Sequence, residues 1–357
     1  MMIRIGVLGG AGSVGRYALG YLAETEKFAI EAASRSITAS CGMFSCGMDN
    51  VSLTDLDVND KTALGEFISR NDIVLNLVPA AVFSGTETAR LCAEKSTPLV
   101  DAGTAQGYEA IGGNCIYSAG ALPGFSAPLA VYAAEGFDSI SSFTHISSMS
   151  GVFSFGAAYD YLEGVAGSSS QENVRQLRGA EIPFVGEGDM TSYSDRETEY
   201  VRRRLGAEGT HYISFGGSET SSLLKRAAMT FGSDKNGSAK KLVEMSRMYS
   251  IKANEHFAFV IEINGYKNGG VKTETLVLKA DSSQSLTGIC AGLCTEMAAE
   301  NLNSTGVFSF SEFAETPLYS RYMPYFIEKL GKNRHIIMLE RFDMSVEELC
   351  EESSGEI

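Results

Sequence analysis

Ile3-Arg4-Ile5-Gly6-Val7-Leu8 runs directly into Gly9-Gly10-Ala11-Gly12-Ser13-Val14-Gly15, and from there to Leu22 the residues keep a helical pattern. The spacing Gly10-x-Gly12-x-x-Gly15, placed between an apolar strand and a helix, has a mechanical reading. The glycines allow a tight turn, backbone approach to a pyrophosphate and close helix-on-strand packing, and the anion rests on the helix N-terminus. Strand, loop and helix come in the order this mechanism needs. The stretch therefore predicts the start of a parallel α/β sheet and a dinucleotide site built from Gly10, Ala11, Gly12, Ser13, Val14 and Gly15.

The other half of such a site belongs at the end of the next strand, Ala29-Ile30-Glu31-Ala32-Ala33-Ser34-Arg35-Ser36. A carboxylate there would accept from a ribose 2′-OH and select NAD; a cation with hydroxyls suits the 2′-phosphate of NADP. The chain offers Ser34, Arg35 and Ser36, while Glu31 lies too far back along the strand. NADP is expected over NAD.

Further on, strand and helix patterns alternate to about residue 120, as in a doubly wound parallel Rossmann sheet. Val51 to Leu56 reads as a strand, Lys61 to Arg70 as a helix, Ile73 to Val78 as a buried strand closed by Pro79, and Ser84 to Lys95 as a helix. Pro98 to Asp101 and Cys115 to Ala119 are then strands. Ligands bind beyond the carboxyl ends of such strands, which adds Asp57, Val58, Asn76, Leu77, Val78, Pro79 and Asp101 to the cofactor set. Asn76 to Pro79 is assigned to the nicotinamide half.

Ala121 to Pro128 reads as a boundary, giving a nucleotide domain over 1–122 and an inserted α+β substrate or dimerisation domain over 123–310 with an open mixed sheet. Its clearest features are a hairpin, His256 to Asn264 with Val271 to Lys279, and a helix Leu286 to Asn301. Gly164 to Ser170 and Gly232 to Gly237 read as mobile loops or lids, and residues 341–357 as a solvated acidic tail with at most a short helix.

A chain of 357 residues with formal net charge −15 has room for two domains and is a poor fit to nucleic acid or anionic membrane. No apolar run approaches membrane-spanning length, and the immediate strand leaves no room for a signal peptide. Seven cysteines without a CxxC pair suit a reducing cytoplasm, where the protein is expected. Cys290 and Cys294 read as buried helix residues rather than metal ligands, and no metal site is expected.

At these residues the chain resembles the saccharopine dehydrogenase-like oxidoreductases. The likeness rests on Val7 to Gly15, Ala33-Ser34-Arg35, Asp72 to Pro79, Val100-Asp101 and Gly120-Ala121-Leu122-Pro123-Gly124. Beyond the N-terminal third it extends only to layout, including a C-terminal helix around Tyr319 to Leu330, within 311–340, returning to the nucleotide domain. The resemblance implies NADP-dependent hydride transfer at a carbon bonded to nitrogen, in a carboxylate-bearing small molecule, in a homodimer. Leu122 stands where members acting on secondary amines often have a polar residue, which detaches the activity class from any named substrate.

A nitrogen that gains or loses a proton calls for an acid or base. Asp101, Tyr108 and His145 are the catalytic candidates; Pro123, Gly124, Lys225 and Arg226 are the substrate-binding ones, with arginine suited to a bidentate grip on a carboxylate. His211 and His256 are flanked by strand-like aromatic residues and read as packing. Tyr325-x-x-x-Lys329 matches a short-chain dehydrogenase pair, but it follows Pro324 near the chain's end and reads as helix surface. A semialdehyde dehydrogenase would need a nucleophilic cysteine, and Cys115 is strand-like. Two alternatives stand beside the imine or amine oxidoreductase: an enoyl-type reductase with an apolar cavity, and a non-catalytic NADP-binding sensor or scaffold.

Overall fold

The computed structural model describes residues 2–39, 49–80, 82–104, 107–167, 175–216, 224, 226–227, 229–250, 255–303 and 306–355. They form two compact units: Met1–Phe125 with Gln284–Tyr322, and Ser126–Ser283 with Met323–Ile357.

The first unit contains β1 (Ile3–Leu8), α1 (Gly15–Glu24), β2 (Phe28–Ser34), β3 (Val51–Asp55), α2 (Lys61–Ser69), β4 (Ile73–Asn76), α3 (Gly85–Glu94), β5 (Leu99–Asp101) and β6 (Cys115–Tyr117). With β13 (Val307–Ser309) they build a seven-stranded parallel sheet in the order β13-β6-β5-β4-β1-β2-β3, the doubly wound Rossmann arrangement. β4 is buried at all four residues, the mark of a strand covered on both faces. Asp60 starts α2 by accepting from the amides of Thr62 and Ala63, both at 3.1 Å.

In the second unit are α4 (Ser126–Ala133), β7 (Ser139–Ser150), α5 (Phe155–Gly167), β8 (Gln176–Ile182), β9 (Gly186–Tyr193), α6 (Arg196–Leu205), β10 (Glu208–Ser214) and α7 (Lys235–Ser250). The hairpin β11 (His256–Lys267) and β12 (Gly270–Ala280) follows, then β14 (Ile336–Phe342). Its sheet is mixed, in the order β14-β12-β11-β7-β10-β9-β8, with β7 and β10 parallel and the other pairs antiparallel. The hairpin turns tightly through Asn268 and Gly269, whose φ values of 51° and 77° are the left-handed pair a two-residue turn requires.

Three expectations are corrected. Residues 284–310, expected in the second domain, pack within the first unit. Their helix α8 (Ser283–Glu300) is buried nearly all round, so its apolar pattern alone does not say which sheet it serves. Gly232 to Gly237 is not a loose loop but leads into α7, with the Asp234 carboxylate accepting from the Gly237 amide at 2.8 Å; of the other glycine-serine stretch, residues 168–170 lie outside the described residues. The acidic tail is an ordered element as well. β14 runs to Phe342 and α10 (Val346–Gly355) follows it. Ser345 and Glu348 form a reciprocal capping box, the Glu262 carboxylate accepts from the Val346 amide, and Leu349 is buried.

The helix around Tyr319 to Leu330 is α9 (Tyr319–Gly331), whose first four residues count with the first unit and the rest with the second. No helix among the described residues is long and apolar enough to cross a membrane.

Candidate functional site

The sheet order reverses between β1 and β4, and this switch point is where ligands bind in such folds. The glycine loop leaves β1 there. Gly9 and Gly10 amides donate to Ala33 O at 2.9 and 3.1 Å, and the Ala11 amide donates to Ser34 Oγ at 3.1 Å, so the loop hangs on the end of β2. A methyl group at Gly15 would lie 2.3 Å from Gly9 O and 2.7 Å from Gly10 O, which only glycine avoids. Val14 makes no side-chain cap on α1, leaving the first turn of the helix for an anion. These features fit a pyrophosphate. The loop gathers Gly10, Ala11, Gly12, Ser13, Val14 and Gly15, and Ser34 Oγ accepts from the Ala11 amide and so holds it.

Beyond β2, Arg35 and Ser36 are exposed. Glu31 is turned inward. Burial alone would raise its pKa, but the Arg70 guanidinium, with Thr54 and Asn71, outweighs that and holds the carboxyl below its usual range. Glu31 is thus committed to the interior, away from any ribose. Asp57 is exposed and kept low by the Asn59 amide and side chain, with the Arg35 charge adding to them. Val58 is buried. Asp55 accepts from the amide and hydroxyl of Thr38, bracing the turn after Arg35. The sequence reading had not singled out this Thr38–Asp55 tie; its only signal was a hydroxyl and an acid at the ends of adjacent strands.

Across the switch point, the Leu77 amide donates to Leu8 O at 3.0 Å, and a methyl at Gly9 would lie 2.9 Å from Leu77 O. Asn76 to Pro79 therefore adjoins the glycine loop. Asn76 Nδ2 donates to Asp101 Oδ2 at 3.0 Å, while its Oδ1 accepts from the Val78 amide at 3.2 Å.

Asp101 itself is fully buried. It accepts from Tyr108 OH at 2.9 Å and from the Gly103 amide at 2.7 Å. Burial raises its pKa against these three donors. Tyr108 is also fully buried, stacked on Tyr117 with ring centroids 4.8 Å apart, and burial beside Asp101 pushes its phenol far up. Asp101 and Tyr108, expected as proton-transferring groups, thus lie in a closed cluster, and neither presents a polar atom to solvent.

His145 is no better placed for catalysis. On β7 it pairs in register with His211 of β10, their rings stacked 4.2 Å apart, with Phe259 edge-on. It is 3% exposed, and its Nε2 has no hydrogen-bond partner among the described residues. Desolvation, then the neighbouring His211, drives its pKa well below the ordinary value. It is core, as the sequence had suggested for His211 and His256.

Pro123 and Gly124 lie in a tight loop in which Gly120 pairs with Gly124. Lys225 is outside the described residues, and Arg226 is exposed on a short helical run. Cys115 is buried with its thiol pushed up by desolvation, against a nucleophilic role. Tyr325 and Lys329 sit on α9 with the ammonium 5.3 Å from the ring centre. Among the described residues no three of His, Cys, Asp or Glu are grouped to hold a metal.

Residues 5–117 match the family described as the saccharopine dehydrogenase NADP binding domain. Of solved structures, apo saccharopine dehydrogenase (L-Glu forming) from Saccharomyces cerevisiae is similar at TM-score 0.65 and 12% identity, over 96% of this chain and 100% of that one. At that identity the likeness is one of fold. A DAP dehydrogenase from C. glutamicum in complex with DAP matches at TM-score 0.46 and 14% identity over 90% and 99% of the two chains, too weakly to bear an argument. No curated protein matches by sequence. With their glycine loop, uncapped helix and the arginine beyond β2, residues 5–117 are similar to the saccharopine dehydrogenase NADP binding domain, on a fold shared with that yeast enzyme.

Proposed function

We propose that the protein is an NADP-dependent oxidoreductase that transfers hydride to or from a carbon–nitrogen bond of an amino-acid-derived, carboxylate-bearing substrate. The observation that carries this reading is the switch point, where the glycine loop and Asn76 to Pro79 adjoin and Arg35 lies exposed beyond β2. NADP, when bound, supplies or takes the hydride. The chain's own part is binding and orientation. The first turn of α1 holds the pyrophosphate, Arg35 and Ser36 take the 2′-phosphate, and Asn76, fixed by Asp101, sets the segment Leu77 to Pro79 beside the nicotinamide. Asp101 is on this view a positioning residue. Pro123 and Gly124, in the loop after β6 at the same edge, are the substrate-facing candidates. The choice of carbon–nitrogen chemistry is supported by the family likeness of residues 5–117 and by the full-length fold likeness to a saccharopine dehydrogenase.

The test is a fluorescence titration with NADPH and NADH, undisturbed by tryptophan because the chain has none. It is followed by a turnover screen of secondary amines derived from amino acids with NADP, and of 2-oxo acids plus amines with NADPH. Preference for NADPH with turnover of an amine or imine is the expected result. Turnover confined to conjugated double bonds would overturn the substrate class. A second reading, an NADP-binding sensor, draws on the enclosure of Asp101, Tyr108 and His145; it requires NADPH binding with no turnover across the panel. We also propose a homodimer, for which light scattering should give twice 38.2 kDa.

A further inference from the structure

α8 meets α1 along one stripe of residues four apart: Gly288, Gly292, Glu296 and Glu300. A methyl group at Gly288 would lie 2.6 Å from Val14 O, 2.7 Å from Tyr17 Cβ and 3.0 Å from Ala18 N; one at Gly292 would lie 2.7 Å from Tyr21 Cδ1. Beyond the glycines the stripe becomes acidic. Tyr21 OH donates to Glu296 Oε2, and Lys27, just past the end of α1, donates to Glu296 Oε1 at 2.5 Å and to Glu300 Oε1 at 2.8 Å. Numbers rise together along both helices, so they run side by side in the same direction, start against start.

That geometry matters because of what Val14 O does. It accepts the Tyr17 and Ala18 amides at 3.1 and 3.2 Å, closing the first turn of α1. The same turn offers the amides of Ser13, Val14 and Gly15 to an anion. α8 therefore touches the backbone of the anion-binding turn from behind, with its bare glycine against a carbonyl, while Lys27 and the two glutamates grip the far end of the helix. Binding geometry has to be held to about half an ångström, and a helix fixed at one end only would not hold it.

We propose that Gly288 is a positioning residue for NADP: its direct contact with Val14 O fixes the phosphate-binding turn of α1, and α8 and that turn respond to the cofactor as one body. This rests on the glycine loop's taking the NADP pyrophosphate, which the titration of the unaltered protein tests by itself.

Gly288→Ala and Gly292→Ala are compared by NADPH titration and thermal unfolding. Gly288→Ala should raise the Kd for NADPH tenfold or more. Gly292→Ala, whose new methyl meets the Tyr21 ring rather than the turn, should lower Tm to a similar extent and leave Kd within threefold. Equal losses of affinity in the two variants, or a Gly288→Ala protein that binds as the unaltered one does, would overturn the proposal. Hydrogen exchange on the unaltered chain needs no variant. NADPH should slow exchange at least threefold in residues 286–292 as well as in 9–18, and protection confined to 9–18 would refute the coupling even if Gly288→Ala does not fold.

Discussion

Arg35 is exposed just beyond β2 while Glu31 is turned inward onto Arg70, and the proposed function gives Arg35 the main part in the cofactor preference. Arg35→Ala should weaken NADPH binding about tenfold to a hundredfold and leave NADH nearly unchanged, as charge-assisted hydrogen bonds to a phosphate are worth about 1.5–3 kcal/mol; competitive titration with the two cofactors reads this directly. Asp101 is the opposite case, a fully buried side chain. Its three partners all donate, so Asp101→Asn turns one amide donor against them and should cost about 1–3 kcal/mol of stability. Thermal unfolding measures that loss. Folded protein that keeps turnover within an order of magnitude would mark positioning, whereas a loss of a thousandfold or more would restore Asp101 as the acid. The glycine spacing was readable in the sequence because local geometry dictates it. The inward aim of Asp101 was not, since a carboxylate at a strand end has the same spelling whether it faces a ligand or the interior.

Elements formed by continuous apolar runs, such as β4, or by alternation around a Gly turn, such as β11 and β12, could be read from the sequence because periodicity is their cause. β13 could not be: three residues contribute no period, and Val307 finds Cys115 only through the rest of the sheet. The stacking of His145 on His211 is likewise a matter of register between strands far apart in sequence. That pair makes a pH prediction for the second unit. Around it stand Ser147, bonded to His211 Nε2; Thr198 and Asp195 at the start of α6; and Tyr193 and Phe259 edge-on. Desolvation depresses both histidines in the folded state, with Asp195 partly countering it at His211. Stability from a base with a lowered folded pKa is full above the unfolded value of about 6.5 and is lost as pH falls through the folded value. Tm should therefore drop by roughly 5 °C or more between pH 7 and pH 5. His145→Phe should flatten part of that slope; circular dichroism melts across the range decide it.

On the scale of the whole molecule, the nucleotide-binding sheet is discontinuous in sequence. Its first six strands lie before Phe125, but its seventh strand and the helix behind α1 come from 284–322. The first unit's N-terminal segment ends at Phe125, just past the Pro-Gly turn, but nothing local in Leu286 to Asn301 names the sheet it covers. A fragment of residues 1–125 should fail to fold or to bind NADPH, because Leu286, Ile289, Leu293 and Met297 would no longer cover the unit they are buried against. Joining 284–322 to it through a flexible linker should recover both, as judged by circular dichroism and NADPH titration. A well-folded 1–125 fragment with native affinity would refute this.

The same discontinuity imposes an order of events during synthesis. About 160 residues separate Phe125 from Gln284, so at about 5–20 residues per second the first six strands wait on the order of 10–30 s for their covering helix and last strand. Through that interval the nascent chain presents an open β6 edge and a bare apolar face on α1, the surfaces that chaperones bind and that neighbouring chains on a polysome can pair with. Expression yield should then depend on elongation speed and on chaperone supply more than the stability of the finished protein would suggest.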